Sequence, residues 1–124
     1  MALLTEWKTL EYRPTWGPSV AWSPDSRVLA CGSGEHTIRL WDVATGQPIQ
    51  TFTGPYCYSY FLVYSPDGIT LASGDEEFDP AVVRLWDVPS GRLRLTLPGQ
   101  ADFITDLAFS PDGTLLASAG DGVR

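Results

Sequence analysis

Apolar and polar residues alternate along this chain in short runs, and clusters of turn-forming residues separate the runs. In Ile38-Arg39-Leu40-Trp41 and Val83-Arg84-Leu85-Trp86 an arginine sits between apolar neighbours, the alternation that marks a half-buried strand. No stretch sustains a helical apolar period, so the pattern predicts strands throughout. Ser65-Pro66-Asp67-Gly68 and Ser110-Pro111-Asp112-Gly113 suit a type I turn. Proline fixes φ at the second position, the serine bonds locally and the glycine ends the turn. The flanks Tyr60 to Tyr64 and Ile69 to Ser73 are then antiparallel strands. Val43-Ala44-Thr45-Gly46 and Val88-Pro89-Ser90-Gly91 suit short hairpin loops with glycine in the left-handed position. The predicted unit is four short strands, a to d, joined by tight turns.

That unit recurs. Val20-Ala21-Trp22-Ser23-Pro24-Asp25 returns as Leu62-Val63-Tyr64-Ser65-Pro66-Asp67 and again as Leu107-Ala108-Phe109-Ser110-Pro111-Asp112. Ile38-Arg39-Leu40-Trp41-Asp42-Val43 returns as Val83-Arg84-Leu85-Trp86-Asp87-Val88. Thr45-Gly46 with Thr51-Phe52-Thr53-Gly54 is echoed by Ser90-Gly91 with Thr96-Leu97-Pro98-Gly99. Equivalent residues lie 42 to 45 positions apart, a period that signals a repeat architecture. With the Trp41-Asp42 and Trp86-Asp87 strand endings, the a–b turns and the b strands Leu71-Ala72-Ser73-Gly74 and Leu116-Ala117-Ser118-Ala119, the chain resembles the WD40 repeat family over nearly its whole length.

The resemblance implies an all-β fold: a WD40-type β-propeller sector of four-stranded antiparallel blades forming an incomplete ring. The expected boundaries are a strand d at about 3–10, blade 1 at about 17–54, blade 2 at about 55–99 and a truncated blade 3 at about 100–124. In the family a His before strand a, a Ser or Thr in strand b, an Asp in the b–c turn and the Trp of strand c form a buried network. Here Gly54-Pro55-Tyr56 and Gly99-Gln100-Ala101 carry no histidine. The second blade offers Ser73 and Trp86 with Asp79 as the acid; the first offers Cys31, Glu35 and Trp41; the third offers Ser118 and Asp121. Incomplete buried networks stabilise less, so the blades are expected to be less rigid than a full set would make them.

Propellers typically have four to eight blades, and Gly122-Val123-Arg124 opens a strand c without reaching Leu-Trp-Asp. An open sector exposes blade faces and strand edges. The expectation is a fragment of a larger propeller protein. The alternatives are a protomer that closes a ring as a homo-oligomer and a stable monomeric sector.

Charge and composition narrow the function. Fifteen acidic residues against eight basic ones give a formal net charge of −7, which disfavours nucleic acid as a partner. Cys31 and Cys57 form no CxxC pair, and the lone His36 completes no zinc set with them, so reduced thiols and no metal or cofactor are expected. The start of the chain lacks a signal-peptide pattern and no apolar run is long enough to span a membrane; a cytoplasmic protein follows.

Catalysis finds little support. His36 falls in a predicted turn, and Asp25, Asp67 and Asp112 recur at the repeat spacing, as do Asp42 and Asp87. They read as turn formers before acids. The acidic loop Gly74-Asp75-Glu76-Glu77-Phe78-Asp79-Pro80 lacks EF-hand spacing, and its readings are a solvated loop, a partner-binding loop or a metal site. Aromatics cluster at Tyr56, Tyr58, Tyr60 and Phe61, as blade packing or as an interface patch. In the family the d–a and b–c loops share one face, which would gather Trp16, Tyr56 and Phe103 with Glu76, Glu77 and Phe78. The expected function is a non-catalytic scaffold for protein partners. The rivals are self-association and a part of an enzyme or sensor whose site lies in other blades.

Overall fold

The computed structural model describes residues 20–33, 37–53, 59–75, 82–98 and 103–121. The expected strand at about 3–10 lies outside them. Ten strands follow one another with no helix among the described residues: β1 (Val20–Trp22), β2 (Val28–Ser33), β3 (Thr37–Asp42), β4 (Gln47–Thr53), β5 (Ser59–Tyr64), β6 (Thr70–Asp75), β7 (Val82–Asp87), β8 (Arg92–Pro98), β9 (Phe103–Phe109) and β10 (Leu116–Asp121). They form a four-stranded sheet β1-β2-β3-β4, a second sheet β5-β6-β7-β8 and a pair β9-β10, each with sequential antiparallel order. This is the all-β arrangement the alternation predicts, an open series of propeller-like blades.

The a–b turns are built alike three times. Ser23 Oγ donates to Asp25 Oδ1 at 2.6 Å, and Asp25 Oδ1 also accepts from the Arg27 N–H at 3.0 Å. Ser65 with Asp67 repeats this at 2.5 and 3.0 Å, and Ser110 with Asp112 at 2.6 and 3.0 Å. Each serine hydroxyl also accepts a backbone N–H five residues on, at 3.0 Å. The carboxylates are therefore occupied as turn formers. Their serine and backbone hydrogen bonds hold Asp25 and Asp67 below the ordinary carboxylate range and bring Asp112 down to about 2.

The hairpins between strands c and d follow the same economy. Asp42 Oδ1 accepts from the Ala44 and Thr45 N–H groups at 2.9 and 3.2 Å. Asp87 Oδ2 accepts from the Ser90 N–H and hydroxyl at 3.1 and 2.6 Å. Gly46 and Gly91 close these loops at φ of 73° and 72°, the left-handed conformation that glycine adopts freely.

The sheets stack in chain order, with β1 and β2 against β5 and with β5 and β6 against β9. The first junction is a core of Ala30, Ile38, Leu40 and Phe52 from one sheet with Leu62, Tyr64, Leu71 and Trp86 from the next. Phe52 and Trp86 are both fully buried and stack with centroids 5.6 Å apart and planes 19° from parallel. The second junction packs Ala72, Val83 and Leu107 with half-buried Phe61, Val63, Leu85 and Phe109. Of the aromatic cluster, Phe61 is thus a packing residue; Tyr56 and Tyr58 lie outside the described residues.

One turn breaks the pattern. Ser26 adopts φ 63° where its counterparts are Gly68 and Gly113 at 73° and 76°. A side chain in that region is crowded by its own backbone, at a cost of about 1–2 kcal/mol. Glycine there removes the crowding but frees the unfolded chain. The Ser26→Gly variant is expected to gain roughly 0.5–1 kcal/mol, read as a higher urea midpoint at unchanged slope; a lower midpoint would show that the turn is not strained.

Candidate functional site

The side chains singled out by the repeat divide into buried posts and loop residues. In the second blade the post is complete at its centre: Trp86 Nε1 donates to Ser73 Oγ at 3.0 Å, with both side chains fully buried. The geometry follows from register. Leu71 pairs with Trp86, and Ser73 with Arg84, so the serine lies two residues along from the indole's partner on the same face. Asp79, the expected acid of this set, lies outside the described residues.

The first blade has the same register, Leu29 opposite Trp41 and Cys31 opposite Arg39. Cys31 stands where Ser73 does, and the buried Trp41 Nε1 finds no hydrogen-bond partner among the described residues. Burial alone pushes the Cys31 thiol up to about 11, so it is protonated at neutral pH and a poor nucleophile. Glu35 and His36 lie outside the described residues. In the third unit Ser118 is exposed on β10, opposite Leu107. Among the described residues no strand flanks β10 on its other side. Asp121 ends β10 in register with Phe103.

Of the candidate partner-binding residues, Trp16, Tyr56, Glu76, Glu77 and Phe78 lie outside the described residues, and Phe103 opens β9. The frame around them is defined. Ser33 at the end of β2, Thr37 at the start of β3 and Thr53 at the end of β4 are aligned in register. Asp75, Val82, Pro98 and Ser59 are aligned likewise in the second sheet. The b–c and d–a connections therefore depart from one edge of the sheets, and the Ser-Pro-Asp turns and Gly46 and Gly91 hairpins occupy the opposite edge.

Two features escape a reading of single repeats. Gln50 Nε2 reaches across the first junction to the Val88 carbonyl at 3.2 Å. A Cβ on Gly91 would meet that amide at 2.7 Å and the Phe52 ring at 3.5 Å, so the glycine lets the second blade's hairpin close on the first blade's outer strand. Alongside lies a cleft of about 300 Å³. Overlaying the repeats would have flagged Gln50, because its counterpart is Leu95. No group of three or more metal-binding side chains gathers among the described residues, and no helix long and apolar enough to cross a membrane occurs among them.

The family model "WD domain, G-beta repeat" matches residues 18–42, 46–87 and 91–123. The Denticleless protein homolog of Danio rerio is 47% identical over 38 residues, 31% of this chain and 6% of that protein. Nuclear distribution protein PAC1 of Coccidioides posadasii is 39% identical over 64 residues, 51% of this chain and 14% of that protein. Eukaryotic translation initiation factor 3 subunit I of Aspergillus niger is 39% identical over 44 residues, 36% of this chain and 13% of that protein. The chain thus spans a small part of each of these relatives.

The half-built post of the first blade has a direct test. Cys31→Ser supplies the acceptor that Trp41 lacks and is expected to stabilise by about 1 kcal/mol, whereas Cys31→Ala brings no gain. Ser73→Ala strands the Trp86 N–H and is expected to cost about 1–3 kcal/mol. Equilibrium urea unfolding of the three variants measures both.

Proposed function

The chain belongs to the WD40 repeat family, and from that premise we propose that it is a non-catalytic scaffold for protein partners, working as part of a larger propeller. The observation that carries this reading is the fixed frame. Stacked sheets locked by the Phe52–Trp86 pair and the Trp86–Ser73 hydrogen bond hold one edge from which the b–c and d–a connections depart. Loops on a rigid support lose little entropy on binding, which is what a recognition surface needs. The proposed contact set is Trp16, Tyr56, Glu76, Glu77, Phe78 and Phe103, aromatic anchors among acids, with partners carrying complementary basic and apolar groups. No metal or cofactor enters this mechanism. Neither a membrane nor a nucleic acid is proposed as a partner, and the proposed site of action is the cytoplasm.

One observation favours a second reading. Val20 and Trp22 on β1 are each 55% exposed, and Leu97, the counterpart of buried Phe52, is 37% exposed. The β1 face has residue types like those that meet at the first junction, and Leu97 lies on the second-junction face beyond the cover that β9 and β10 give, so added strands from another chain fit both places. A second copy of the chain supplying them makes the protein a self-associating protomer.

Each reading has its measurement. The Glu77→Ala/Phe78→Ala double variant is expected to bind captured protein partners roughly tenfold more weakly than the unaltered chain, compared by quantitative affinity capture; undiminished binding removes this loop from the interface. Light scattering on the purified 13.6 kDa chain is expected to give a discrete oligomer if copies close on each other. A monomer rules out that second reading.

A further inference from the structure

The cleft beside Gln50 lies between the first two blades, at the edge that carries the Ser-Pro-Asp turns. Val28, Leu40, Ile49 and Val88 form apolar walls, and Tyr64 and Gln50 stand among them. Exposed Asp25 and Asp67, one from each blade, also line it. Its volume of about 300 Å³ is at the lower end of what ligand sites use, enough for one long side chain.

Tyr64 is the unexplained element. It is 8% exposed, and its hydroxyl has no hydrogen-bond partner among the described residues. A buried hydroxyl left without a partner is costly, by about 1–3 kcal/mol. The fold does not demand it, because the counterpart in the next repeat is Phe109. Burial, and after it the negative charge of Asp25, pushes the Tyr64 phenol up to about 12, so it stays neutral.

The second junction carries a cation at the position equivalent to Ile49. In β3–β4 the register skips from Leu40–Gln50 to Trp41–Pro48, leaving Ile49 as the bulged residue. In β7–β8 it skips from Leu85–Leu95 to Trp86–Leu93, leaving Arg94. The Arg94 guanidinium reaches Thr70 Oγ1 at 3.4 Å. Asp87 is held below the ordinary carboxylate range by its Ser90 hydrogen bond first and by Arg94 among the further causes. The first junction has the Ser-Pro-Asp acids as well, but isoleucine, 53% exposed, stands where the second has its cation, and polar Tyr64 and Gln50 stand where it has Phe109 and Leu95.

We propose that the cleft between the first two blades receives an arginine side chain of a partner protein, its stem against Ile49 and Val88 and its guanidinium toward Asp25, Asp67 and the Tyr64 oxygen. This deepens the scaffold reading and rests on it: it gives the partner's chemistry at the edge opposite the b–c and d–a connections. Arginine suits the place because its planar, weakly hydrated head bridges two acceptors and stacks on an aromatic ring. The chain's own surplus of acid, a net charge of −7, draws such a group in.

The test uses the full chain and a small probe, so that it does not depend on finding a partner. N-acetyl-arginine amide is titrated against isotope-labelled protein and followed by amide shifts, with the isosteric neutral N-acetyl-citrulline amide and with N-acetyl-lysine amide as controls. Saturable shifts are expected at Val28, Gly68 and Val88, at least tenfold weaker for citrulline and weaker for lysine. Ile49→Arg puts a cation at the cleft, at the position Arg94 holds in the next blade, and is expected to weaken binding at least tenfold; Ile49 is exposed, so the fold tolerates the change. Tyr64→Phe is expected to weaken binding several-fold while leaving the urea midpoint equal or higher. Equal binding of citrulline or lysine, shifts at Thr70 and Leu95 instead, or no effect of Ile49→Arg would each overturn the proposal. Failure here leaves the Glu77→Ala/Phe78→Ala comparison standing, since that variant probes the other edge.

Discussion

A four-stranded sheet with apolar residues on both faces cannot stand alone in water, and everything in this chain depends on how one face covers the next. The contact that does so is the stack of Phe52 on Trp86. It joins the outermost strand of one blade to the third strand of the following one, so it fixes both spacing and twist between sheets. Burying a side chain of that size is worth about 1.5–3 kcal/mol, which is substantial beside the total stability of a small domain. The Trp86–Ser73 hydrogen bond then anchors the indole so that its ring presents a fixed surface.

This arrangement makes each blade asymmetric. Leu40 faces forward into the first junction, whereas Trp41, the next residue along, points to the other side. Side chains on adjacent positions therefore serve different interfaces. The bulges opposite Leu40–Trp41 and Leu85–Trp86 shift the register of the outer strand by one residue, leaving that residue without a partner in the ladder. Those displaced residues, Ile49 and Arg94, are the freest to vary chemically without disturbing the stack.

Much of the fold was legible because its signals are local. Alternation around Arg39 and Arg84 gives strands; serine, proline, aspartate and glycine at set offsets give turns; and repetition gives the blade. Cys31 in place of serine was visible from the repeat alone, and register carries it to the Ser73 position. The partnership of Phe52 with Trp86 was not legible, because 34 residues separate them and only the packing of whole sheets brings them together. The cleft was hidden for the same reason: Tyr64 and Phe109 look like interchangeable core residues until the wall around each is known.

The turn edge and the loop edge also differ in how much length they tolerate. A Cβ on Gly68 would lie 3.5 Å from the Pro24 ring, and one on Gly113 3.4 Å from Pro66, so each Ser-Pro-Asp turn nests on its predecessor like a tile on the one below. Thirteen residues separate Ser73 from Trp86 but only ten separate Cys31 from Trp41, and the extra length falls wholly in the b–c connection. Insertions that would unseat the tiling are thereby diverted to the opposite edge. That edge can take added length while the joinery beneath stays the same.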